Sequence, residues 1–125
     1  MKTRVGIFED DRADQFIYQQ LITKTSLAVE PIFFQSIDEG IEAARKGLFD
    51  VVAINIHHYG HNMGLDILQK LRRESKEPFI AIAVTPLLLD GDLERILAAG
   101  FVLCLEKPQV FEALGKGKIS IPGLC

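Results

Sequence analysis

Val51-Val52-Ala53-Ile54-Asn55 places four apolar side chains in succession and closes the run with one amide. A strand with one wet face alternates apolar and polar residues, whereas a strand covered on both faces reads as a continuous apolar run. Val5-Gly6-Ile7-Phe8 upstream, and Phe79 to Val84 and Phe101 to Leu105 downstream, have the same character, and Val29 to Phe34 adds a further strand. Between them lie stretches with helical spacing. From about Arg12 the spacing predicts a helix with Phe16, Ile17, Leu21 and Ile22 on its inner face. The next carries Ile37, Ile41, Ala44 and Leu48 and ends at Gly47; a third bears Leu65, Leu68 and Leu71. A fourth carries Leu89, Leu93, Ile96 and Leu97 and is stopped by Gly100. A last helix beginning near Pro108 would bury Val110, Phe111 and Leu114, and Gly115 and Gly117 cut it short. Strand and helix alternating throughout predict an α/β fold, a doubly wound parallel sheet with helices on both faces.

Composition narrows the function. The chain has 125 residues, 48% apolar and 25% charged, the balance of one compact domain. A core of that size needs neither a metal nor a disulfide staple, and disorder or a collagen-like repeat is excluded. The formal net charge of -3 argues against direct nucleic-acid binding. Two cysteines, Cys104 and Cys125, suit a reducing compartment. Met1-Lys2-Thr3-Arg4 leads into a short apolar run broken by acids, unlike a signal peptide. Phe79 to Leu89, the longest apolar stretch, is interrupted by Thr85-Pro86 and is too short to cross a bilayer. The expectation is a soluble, cytoplasmic protein with no membrane partner.

In open parallel sheets, chemistry collects beyond the carboxyl ends of the strands. The residues there are Glu9-Asp10-Asp11, Asn55, Thr85 and Lys107-Pro108. The acids also suit the positive end of the helix that follows, so capping competes with ligand binding as their role. His57, His58 and His61 fall in the loop after Asn55, and three histidines so close raise a small metal-binding protein as an alternative. No glycine-rich turn follows the first strand, which speaks against a dinucleotide-binding domain.

This constellation resembles the receiver domain of two-component response regulators, the CheY-like family, from Val5 to about Leu114. The resemblance implies a flavodoxin-like sheet of order 2-1-3-4-5 flanked by five helices. It places Glu9 and Asp10 at the metal-binding positions, Asn55 at the phosphoacceptor position, Thr85 at the switch hydroxyl and Lys107 at the phosphate-contacting lysine. In that family an aspartate takes a phosphoryl group from a phosphohistidine, with magnesium and the lysine neutralising the charge. Here the acceptor position holds Asn55, and a neutral amide cannot form the acyl phosphate that a carboxylate forms. Magnesium binding should weaken as well, because hard cations depend on charged oxygen ligands. The resemblance departs elsewhere too. Tyr59 stands where proline is usual, in a loop one residue longer than the family's. Cys104 occupies the position of a switching aromatic, and Val102 and Leu103 replace residues that are commonly acidic.

The expectation is an atypical receiver, non-enzymatic and without a cofactor beyond a weak or lost magnesium site. It comprises a receiver-like domain over residues 1–114 and a tail over 115–125. It would work by contact with a sensor kinase or another signalling protein. A homodimer through the face of helix 4, strand 5 and helix 5 is also expected, with Leu88, Val102, Cys104 and Phe111 in the interface. An ordinary phospho-accepting regulator, whose aspartate has been deliberately replaced by Asn55, is the alternative within the same family.

Overall fold

The computed structural model describes residues 3–9, 11–24, 29–56, 63–85 and 91–106. Among the described residues five strands, β1 (Thr3–Phe8), β2 (Val29–Phe34), β3 (Val51–Asn55), β4 (Ile80–Thr85) and β5 (Leu103–Glu106), alternate with four helices. The helices are α1 (Arg12–Lys24), α2 (Ile37–Arg45), α3 (Met63–Glu74) and α4 (Asp92–Ala98). The strands form one sheet of order β2-β1-β3-β4-β5, and every pairing is parallel. This is the doubly wound parallel sheet that the alternation of strand and helix implies, in the flavodoxin-like order that the resemblance implies. The expected fifth helix and the tail fall outside the described residues.

The pleat sends successive side chains of each strand to opposite faces, and a core forms on each. On one face Phe8, Phe34, Val52, Ile54, Ala81 and Ala83 pack with Ala43 and Ala44 of α2, with Ile67, Leu68 and Leu71 of α3, and with Ile96 of α4. A file of rings, Phe8–Phe34–Phe49–Phe79, runs through this core at centroid separations of 4.9, 5.9 and 5.3 Å. On the other face Val5, Ile7, Val51, Ile82 and Val84 pack with Tyr18 of α1. Both faces of β3 are thus covered, which is why its apolar residues do not alternate.

Small residues decide how closely α2 approaches the sheet. A Cβ built on Gly40 would lie 2.0 Å from Cζ of Phe8, so only glycine lets this helix rest on that ring. The Ser36 hydroxyl accepts the Glu39 N–H at 3.2 Å and caps the helix, and the Glu39 carboxylate accepts the Gln35 N–H at 3.0 Å. At the opposite end of the sheet, Asp50 takes the backbone N–H and the guanidinium of Arg4, at 2.9, 3.3 and 3.0 Å, and clamps the start of β1 to β3.

Three helices depart from the expected faces. In α1, Tyr18 is the buried aromatic, while Phe16 is 65% exposed and Ile17 also faces water. Phe16 lies about 200° from Tyr18 around the helix axis, and one amphipathic face cannot hold both. Leu48 lies beyond the end of α2 and is exposed, because the chain leaves the helix at Lys46. In α4 Ile96 is buried, while Leu93 and Leu97 are exposed; Leu89, expected on the same face, lies outside the described residues.

Candidate functional site

Parallel registration brings the carboxyl ends of the central strands together. Phe8 of β1 pairs with Ile54 of β3, and Asn55 pairs with Val84 of β4, so Glu9, Asn55 and Thr85 emerge at one edge of the sheet. The first turn of α3 presses on this end of β3: a Cβ on Gly64 would sit 2.5 Å from Cα of Ile56. The Ile56 N–H donates to the Val84 carbonyl at 3.1 Å and carries the pairing one residue past Asn55.

All three polar side chains are almost fully enclosed: Glu9 is 1% exposed, Asn55 2% and Thr85 0%. Enclosed carboxylates and amides must find hydrogen-bond partners. The Asn55 Nδ2 donates to the Glu9 carboxylate, 3.3 Å from Oε1 and 3.5 Å from Oε2. The Asp11 N–H donates to Glu9 Oε2 at 3.3 Å, and the Gln15 side-chain amide donates to the Glu9 carbonyl. Tyr18 lies below; burial raises the pKa of its hydroxyl well above the ordinary phenol value, and the charges of Glu9 and Asp14 raise it further. The phenol therefore stays protonated at neutral pH.

The acidic run is divided in its use. Asp11 Oδ1 accepts the N–H groups of Ala13 at 2.8 Å and Asp14 at 3.2 Å, a helix cap. Glu9 turns inward to Asn55. Asp10 and Lys107 lie outside the described residues, as do Leu88, Phe111 and the histidines at 57, 58 and 61. Among the described residues, no cluster of three or more His, Cys, Asp or Glu side chains could share a metal.

A magnesium ion needs several oxygen ligands in near-octahedral order, carboxylates among them. Of the two carboxylates that the resemblance puts at the metal-binding positions, Glu9 is described and Asp10 is not. Both oxygens of the Glu9 carboxylate lie within hydrogen-bond reach of the Asn55 amide. A cation would have to compete with the amide hydrogens for those oxygens.

Cys104, on β5, is half-buried and pairs in register with Ala83. Burial pushes its thiol up to about 11, helped by the carboxylates of Asp92 and Glu106, so it is an uncharged thiol at neutral pH. Val102, just before β5, is exposed, as are Leu93 and Leu97 on α4. The two leucines were expected to face the core, and only the placement of the helix on the sheet reveals them at the surface. Sequence reasoning also missed a groove of about 490 Å³ between α1 and β2, lined by Arg12, Gln15, Phe16, Gln19, Phe33 and Gln35. The exposed ring of Phe16 was its one available signal.

No protein-family model matches the sequence, and no curated protein matches it. Solved structures do match in shape. The response regulator domain of Thermotoga maritima CheB is 19% identical, with 94% of this chain and 96% of that one covered and a TM-score of 0.69. A response regulator from the same organism gives 15% identity, 93% of both chains and a TM-score of 0.75. A CheY-like receiver domain from Methylobacillus flagellatus gives 20% identity, 91% of this chain, 99% of that one and a TM-score of 0.71. The chain therefore has the fold of the CheY-like receiver domains of response regulators.

Proposed function

We propose that this chain is an atypical receiver of a two-component signalling system, acting by protein contact and taking no phosphoryl group at residue 55. The observation that carries this reading is the enclosed hydrogen bond from Asn55 to Glu9 at the sheet's carboxyl edge. Phosphoryl transfer to a receiver needs an anionic oxygen aimed at phosphorus, and Asn55 instead directs a neutral amide at a carboxylate. Asp10, Thr85 and Lys107 belong to the same inherited pocket by their positions in the sequence. The chain then turns over no substrate and needs no resident cofactor.

Its output surface is α4 with β5, where Leu93, Leu97 and Val102 stand exposed beside half-buried Cys104. Leu88 and Phe111 join this surface by sequence position. Its partner is a sensor kinase or another signalling protein, and a second copy can use the same apolar face. Residues 1–114 form the module and residues 115–125 its tail. No described helix is long and apolar enough to cross a membrane, and the cytoplasm is the proposed setting.

The test is incubation of the full chain with acetyl phosphate and magnesium, followed by intact-mass measurement. The expected spectrum holds the unmodified mass alone. A phosphoryl adduct mapped to a carboxylate at the strand ends would overturn the proposal.

A further inference from the structure

Two adjacent strands end here in an enclosed carboxylate and an enclosed amide, and each is the other's neighbour. An enclosed carboxylate must be compensated by a cation, by hydrogen-bond donors, or by protonation. Donors to Glu9 include the Asn55 amide, from the neighbouring strand, and the Asp11 N–H, from its own loop. The Asn55 bond is thus the one of these two that joins different strands.

We propose that Asn55 does the structural work of a divalent cation, so that its amide bolts the end of β1 to the end of β3 and makes this edge independent of metal. The inference deepens the proposed function by taking Asn55 as the residue standing where a carboxylate belongs. A carboxylate at position 55 would face Glu9 at hydrogen-bond distance. Two like charges enclosed together repel, and a cation between them removes that repulsion. A neutral amide that donates to Glu9 needs no such ion. This edge of the molecule is then held in one arrangement whatever the magnesium concentration, as suits a module that signals by contact.

The experiment is thermal melting of the full chain, of Asn55→Asp and of the exchanged pair Glu9→Gln with Asn55→Asp, in chelator and in magnesium chloride. The original chain should melt at the same temperature in both. Asn55→Asp should lose roughly 10 °C in chelator and recover most of it in magnesium. The exchanged pair restores one donor facing one carboxylate with the roles reversed, and should melt near the original chain without magnesium. If Asn55→Asp fails to fold in either medium, the exchanged pair still decides: recovery supports the bolt, and failure to recover overturns it. An original chain that gains several degrees from magnesium, or an Asn55→Asp chain as stable as the original in chelator, would also overturn it. A phosphoryl adduct on the original chain would sink the proposed function and leave this result standing.

Discussion

Replacing Gly40 by alanine isolates the contact that sets α2 against β1. In a solvent-exposed helix the change would be favourable by about 1 kcal/mol, because alanine loses less backbone entropy on folding. Here the new methyl would lie 2.0, 2.5 and 3.0 Å from Cζ, Cε1 and Cε2 of Phe8. Phe8 is fully buried, with its ring 4.9 Å from that of Phe34, and cannot swing aside without moving the file of rings behind it. Overpacking of this kind costs about 1–3 kcal/mol, and an approach this close belongs at the upper end. The steric term outweighs the helix term, leaving a net loss of roughly 2 kcal/mol and a melting midpoint lower by about 8 °C. Urea denaturation read by circular dichroism measures the loss. Phe8→Leu, which shortens the obstructing side chain, should be costly alone yet cost less in the Gly40→Ala background, a coupling that a double-mutant cycle reads directly. A Gly40→Ala chain as stable as the original would refute this account of how α2 is seated, and additive losses would refute the assignment of the clash to Phe8.

Phe16→Gln should leave the urea midpoint nearly unchanged, within about 0.5 kcal/mol, whereas Tyr18→Ala should cost about 3 kcal/mol or more; equal losses would contradict the observed facing of α1. Arg4 holds the Asp50 carboxyl below its usual pKa, chiefly through their side-chain hydrogen bond. Because the folded-state pKa is depressed, this stabilisation is present above about pH 4 and is lost as pH falls further. The difference in urea midpoint between the original chain and Asp50→Asn should therefore shrink on acidification, and a difference that widens would refute the assignment. With Cys125 changed to serine, alkylation of Cys104 by iodoacetamide should run more than about ten-fold slower than that of a free cysteine at pH 7 and accelerate as pH approaches 11, the value to which burial pushes the thiol. Leu93→Ser with Leu97→Ser should preserve the melting temperature and abolish any self-association seen by light scattering; a large loss of stability would place those side chains in the core instead.

Much of the architecture was legible in the chain itself. Apolar runs without alternation required strands covered on both faces, and their alternation with helical spacing required a parallel doubly wound sheet. The polar residues that close those runs were equally readable, so Glu9, Asn55 and Thr85 could be named as strand-end residues before any coordinates. These are local properties, carried by period and order along the chain. What the acids do was beyond that reach: Asp11 caps α1 while Glu9 turns inward to Asn55, and either carboxylate has the chemistry for either role. The facing of Phe16, Leu93 and Leu97 was likewise decided by how each helix lies on the sheet, since spacing permits several apolar faces and packing selects one. Hydrogen bonds and burial between residues 46 apart, such as Glu9 and Asn55, exist only once the strands are registered, so tertiary structure alone set them.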